Sequence, residues 1–174
     1  MVTGIRITSQ TNKAAEFVKE QLNAGRQAYI VYPLIEESEK IAAGAVTVEF
    51  EEWKKRLPDH KLTLLHGRIG ADEKDRVMDD FRKGKADVLV STTVIEVGVD
   101  VPNANIMLIY NAERFGLAQL HQLRGRIGRG EHTSYCILMC DPENPGNRER
   151  LKILEETRDG FLIAEEDLKQ RGPG

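Results

Sequence analysis

Residues 119–130 read Gln-Leu-His-Gln-Leu-Arg-Gly-Arg-Ile-Gly-Arg-Gly: three arginines and three close-set glycines without one carboxylate, in a chain of formal net charge -3. From Arg114 to Gly130 there are four arginines and no acid, so the local positive field is not an average property of the chain. Guanidinium groups are permanently charged forks that match phosphate oxygens, and glycine lets backbone approach them closely. That combination points to chemistry on a nucleotide phosphate. On a helical projection Leu117, Leu120, Leu123 and Ile127 fall on one arc and Gln119, Gln122, Arg126 and Arg129 on another, so a core stripe separates from a functional stripe. Gly125 and Gly128 leave the end of that helix open.

Two other groups could meet phosphates. The polar stretch Thr92 to Asp100 follows an apolar strand, and small hydroxyls at the carboxyl end of a parallel strand sit where ligands gather in such sheets. The turn His66-Gly67-Arg68 precedes a helix, whose N-terminal N–H groups and one guanidinium suit an anion. For His66 a hydrogen-bonded turn residue is an equal reading. Absences matter as much: the sequence has no Gly-x-x-x-x-Gly-Lys-Ser/Thr phosphate loop and no Asp-Glu-x-His magnesium motif. Gly125, Gly128 and Gly130 have the wrong spacing for a dinucleotide fingerprint.

The elements that must position these residues alternate, apolar run with helical pattern, as in a parallel α/β sheet. Strands are expected at 5–7, 27–32, 62–65, 87–91, 106–110 and 134–140. Helices are expected from Ala14, Val18 and Leu22 to a stop at Gly25, over about 39–56 with Trp53 and Leu57 inward, over 71–82 with Val77, Met78 and Phe81 inward, and through the arginine segment. Residues 141–146 form a breaker, Asp-Pro-Glu-Asn-Pro-Gly. Beyond it, 147–156 and about 163–170 predict a helical hairpin whose apolar side is Leu151, Leu154, Phe161, Ile163 and Leu168. It is too small to stand alone and must dock on the sheet or on a neighbour.

Composition sets the remaining bounds. With 174 residues, 40% of them hydrophobic and 30% charged, the chain can build one sizeable core with an appended subdomain. No apolar run approaches a membrane span of about 20 residues, and no secretory leader is evident, so no membrane partner and a bacterial cytoplasmic location are expected. Cys136 and Cys140 share one face of a strand and read as core thiols; no histidine cluster accompanies them, and no metal site is expected.

Taken together, these segments resemble the second RecA-like domain of superfamily-two helicases. Residues 91–102, Ser-Thr-Thr-Val-Ile-Glu-Val-Gly-Val-Asp-Val-Pro, look like helicase motif V. Gln122-Leu-Arg-Gly-Arg-Ile-Gly-Arg129 matches motif VI. The run 111–126, the segment 33–39 and the tail 159–161 with 167–174 are similar to the RecG branched-DNA helicases, and less closely to the transcription-repair coupling translocases. The resemblance implies a RecA-like three-layer α/β/α domain with a mostly parallel sheet over 1–145, and a helical hairpin over 146–174 that begins a translocation-coupling element.

It further implies that Arg126 and Arg129 are arginine fingers with Gln122 orienting their loop, that Gly98 and Asp100 serve the nucleotide, and that Thr92, Thr93, His66, Gly67 and Arg68 lie along DNA phosphates. Arg158 and Lys169 of the hairpin would grip and release DNA. Arg124, on the opposite arc, is expected to make a structural ion pair. The bland counterparts are surface ion pairs at the arginines, a plain turn at Gly98–Asp100 and a solvated cap at the hairpin. ATP and Mg2+ would be used by the full-length protein, held by a preceding RecA-like ATPase domain, and none is expected on this chain alone. The expected function is the motor domain of an ATP-dependent DNA helicase acting on branched DNA in repair and recombination; the alternatives are a coupling translocase or a non-catalytic nucleic-acid-binding α/β module.

Overall fold

The computed structural model describes residues 1–33, 39–92, 101–128, 130–141, 145–157 and 159–171. In chain order the elements are β1 (Val2–Ile7), α1 (Thr11–Asn23), β2 (Gln27–Val31), α2 (Glu39–Arg56), β3 (Leu62–Leu65), α3 (Ala71–Arg82), β4 (Val88–Ser91), β5 (Ala104–Ile109), α4 (Leu117–Arg124), β6 (Tyr135–Cys140), α5 (Pro145–Glu156) and α6 (Gly160–Arg171). The six strands form one sheet in the order β1-β6-β5-β2-β4-β3, and every pairing is parallel. Because all strands run the same way, the segments leaving β2, β3, β4 and β5 gather at one edge.

Strand alternation sends successive side chains to opposite faces, and each face is covered. On one, Ala28, Ile30, Val88, Val90, Ile106 and Leu108 pack with Ala14, Val18 and Leu22 of α1 and with Val46 and Trp53 of α2. On the other, Tyr29, Val31, Leu89, Met107, Ile109, Cys136, Leu138 and Cys140 pack with Phe81 of α3, the leucines of α4, Leu151 and Leu154 of α5 and Ile163 of α6. The central strands β2 and β5 are therefore buried along their whole length. Both cysteines are core thiols; burial pushes Cys136 up to about 12 and Cys140 up to about 11, so neither is a thiolate near neutral pH.

The hairpin docks on the sheet, but not with the apolar side read from the sequence. Leu151, Leu154 and Ile163 are buried, whereas Phe161 is 86% exposed and Leu168 67% exposed. At about 100° per residue both lie roughly 140–160° around α6 from Ile163. One helix can turn only one arc to the core, and Ile163 takes it. Among the described residues no helix is long and apolar enough to cross a membrane.

Candidate finger loop and nucleic-acid edge

Helix α4 starts after Gly116, whose backbone is extended, and ends at Arg124. Leu117, Leu120, Leu123 and Ile127 are buried, and Gln119 and Gln122 are exposed on the other arc, so the two stripes separate as the spacing predicts. Past the helix the chain keeps turning: the Arg126 N–H donates to Leu123 O at 3.0 Å and the Ile127 N–H to Arg124 O at 3.3 Å. Arg126 thus lies in the turn two residues beyond the last helical position, half-buried. Arg129 lies outside the described residues.

Two glycines fix the course of this loop. Gly128 has φ +85, and a Cβ there would stand 2.9 Å from Ser134 Oγ and 3.0 Å from the Met1 methyl. At Gly130 a Cβ would collide with the carbonyl oxygen of Pro102. Pro102 closes the motif V segment, so the ends of the two motifs are in backbone contact, a proximity that residue spacing cannot disclose.

Arg124 is structural, in a form the sequence reading did not anticipate. It is 3% exposed, and its four terminal N–H groups are all directed: Nη1 donates to Leu154 O at 2.5 Å and to Thr3 Oγ1 at 3.2 Å, and Nη2 to Thr157 O at 3.0 Å and to His121 Nδ1 at 3.2 Å. Among the described partners are two carbonyls at the end of α5, groups that a helix terminus leaves unsatisfied. Arg150 of α5 reaches the other way, donating to Phe115 O at 2.6 Å and Glu113 O at 3.3 Å, just before α4. His121 and Arg150 were not singled out from the sequence. The only local signal was polar residues on, or beside, an otherwise core-facing arc.

His121 sits between Arg124 and the start of α6. A Cβ on Gly160 would lie 3.3 Å from its Nε2. Burial and the Arg124 charge hold the imidazole below its ordinary range, and Asp159 opposes them.

At the carboxyl edge of the sheet, Thr92 is 1% exposed and its hydroxyl has no hydrogen-bond partner among the described residues. Its N–H donates to Leu65 O at 3.2 Å, tying it to β3. The expected phosphate contact therefore does not stand open at the surface. Thr93, Gly98 and Asp100 lie outside the described residues. In the turn after β3 the Arg68 N–H donates to His66 Nδ1 at 3.1 Å and the Ile69 N–H to His66 O at 3.3 Å. Those amides are engaged internally and cannot meet a phosphate. What the turn offers outward is the exposed Arg68 guanidinium. Partial burial, Lys74 and Arg68 lower the His66 pKa, consistent with a neutral ring accepting that amide. Next to this edge Tyr32 and Tyr110 stack with centroids 4.8 Å apart, and Trp53 Nε1 donates to the Tyr32 hydroxyl at 2.8 Å. This cluster holds the exits of β2 and β5 together. Lys169 is exposed on α6, and Arg158 is outside the described residues. Among the described residues no cluster of three His, Cys, Asp or Glu could hold a metal ion.

The family model of the helicase conserved C-terminal domain matches residues 11–131. The chain is 51% identical over its whole length to the ATP-dependent DNA helicase RecG of Aquifex aeolicus and 54% identical over 95% of its length to that of Thermotoga maritima, and it spans about a fifth of either protein (22% and 21%). A RecG structure bound to a three-way DNA junction superposes with a TM-score of 0.84 at 49% identity, over 99% of this chain and 22% of that one. S. cerevisiae Dbp5 L327V, bound to RNA and ADP BeF3, shares the fold at TM-score 0.62 and 19% identity, over 89% of this chain and 38% of that one.

Proposed function

The chain belongs to the RecG-type ATP-dependent DNA helicases, and we propose that it is the second RecA-like half of such a motor, closing one wall of an ATP site whose phosphate and magnesium groups lie on a preceding domain. The observation that carries this reading is the position of Arg126. It sits, half-buried, in a loop whose apolar residues Leu123 and Ile127 are buried and whose glycines are wedged against Ser134 and Pro102. A guanidinium held on a rigid support can meet charge as it spreads over a departing phosphoryl group without reorganising at that moment. Arg126 and Arg129 fill that role, and Gln122, exposed on the same arc, orients the loop.

On the nucleic-acid side, Arg68 offers a phosphate contact without sequence information. Gly98 and Asp100 would serve the nucleotide, and Thr92 and Thr93 the DNA phosphates. His66 and Gly67 shape the turn that presents Arg68. The substrate class is branched DNA, supported by likeness to the junction-bound RecG, with repair and recombination as the setting in a bacterial cytoplasm. The hairpin α5–α6, tied to α4 by Arg124 and to the segment just before α4 by Arg150, would convert cleft closure into movement, because packed elements shift as units. Arg158 and Lys169 would grip DNA once per cycle.

The test is steady-state ATPase and fork unwinding by the full-length protein truncated after Asp141. DNA-stimulated hydrolysis that survives in substantial part while unwinding collapses is the expected result. Equal loss of both, with a lowered melting temperature, would reduce the hairpin to a cap on the sheet.

A further inference from the structure

Every terminal N–H of Arg124 has a described acceptor, and three of the four acceptors are fixed oxygens. The fourth, His121 Nδ1, is the one that chemistry can remove. Accepting from Arg124 requires an unprotonated Nδ1, so the neutral ring carries its one proton on Nε2. The same ring closes on the first residue of α6, where Gly160 leaves no more than contact distance for a Cβ. His121 therefore bonds the arginine that holds the last carbonyls of α5 and lies beside the backbone where α6 begins.

We propose that neutral His121 is the latch that seats the α5–α6 hairpin on the finger helix, and that protonating it releases the hairpin. Protonation would turn the acceptor into a donor facing Arg124 and would set two cations 3.2 Å apart. Among the described residues, the charged groups facing the ring are Arg124 on its own helix and Asp159 at the head of α6. Burial resists protonation most, Arg124 adds to that resistance and Asp159 opposes both, so the ring is neutral near pH 7. His121 is a positioning residue in this account and touches no substrate. Its effect on the motor rests on the reading that the hairpin couples hydrolysis to movement.

Hydrogen exchange of the full-length protein tests the latch directly. His121→Ala removes the acceptor; His121→Asn places an amide oxygen close to where Nδ1 stood and cannot titrate. At pH about 7.5 the alanine variant should exchange the amides of α5 and α6 roughly tenfold faster or more, as loss of a charge-assisted hydrogen bond predicts. The asparagine variant should match the parent. Lowering the pH to about 5.5, with chemical exchange corrected, should loosen the hairpin in the parent and leave the asparagine variant unchanged. Unchanged exchange in His121→Ala, or equal loosening of His121→Asn at low pH, would overturn the latch. Base pairs unwound per ATP hydrolysed, measured on the same variants, should fall in step with release. Release without such a fall leaves the latch standing and sinks the coupling reading instead.

Discussion

Gly130 lies with its backbone against the carbonyl of Pro102, leaving no space for a Cβ. One residue ends the loop that carries the fingers, the other ends the segment that begins at Thr92. A displacement of either must be answered by the other. Gly130→Ala in the full-length helicase should lower DNA-stimulated kcat by about 10–100-fold, the order expected from a misplacement of about 1 Å. KM for ATP should move far less. ATPase rates with and without DNA check this; a normal stimulated rate would show that the contact transmits nothing.

If Arg126 and Arg129 serve as the proposed fingers, they act on the transition state. Arg126→Ala or Arg129→Ala should depress kcat on the order of 10³-fold or more with nucleotide affinity much less affected. Lysine should rescue neither fully, because it lacks the planar fork. Full turnover in Arg129→Ala would return that residue to surface ion pairing.

This chain alone should hydrolyse no ATP, lacking the lysine and carboxylates that grip phosphate and magnesium. Its DNA binding should be weak, indifferent to sequence and salt-dependent, with Arg68→Ala lowering the slope of log K against log salt by about 1. Titrations at two salt concentrations measure that slope. Turnover above a heat-treated control would reveal a complete site.

Arg124→Ala should destabilise the fold through the hairpin, because it strands two carbonyls and leaves a space at the sheet. Each stranded buried acceptor costs about 1–3 kcal/mol. Urea denaturation should show the loss, and Arg124→Lys should not recover it, since one ammonium cannot reach four acceptors.

His66 and His121 both have pKa values lowered by burial and by neighbouring cations. Their unfolded forms take up protons first as pH falls, so stability is full above about 6.5 and declines as pH drops through the window beneath it. Denaturation midpoints across pH about 7.5 to 5.5 should show that slope, and His121→Asn should flatten it.

Much of the scaffold was legible because periodicity reports local geometry. Val77, Met78 and Phe81 predict a helix over 71–82, and α3 occupies that span; β3 and α2 match their expected bounds as well. The core stripe of α4 was legible for the same reason. Its end was not, since Gly125 stays helical while Gly128 does not. What spacing could not give is what lies across a gap. Arg124 lies off the functional arc, which says that it is structural but not that its described partners include two carbonyls at the end of α5, some 30 residues away. Phe161 and Leu168 are apolar at helical spacing but face outward, because Ile163 has the core arc. The closeness of Pro102 to Gly130 is a property of how two loops fold back, visible only in space.

The first strand has a single neighbour in the sheet, β6. The Thr8 hydroxyl just beyond it bonds Cys140 O, 132 positions downstream. During synthesis β1 must therefore wait, exposed and unpaired, until nearly the whole domain has left the ribosome, while β3, β4, β2 and β5 can already associate. Closing so long a loop is slow, and an idle strand edge is a template for foreign strands. The threonine and arginine in β1, Thr3 and Arg6, break its apolar run and lessen that hazard until β6 arrives.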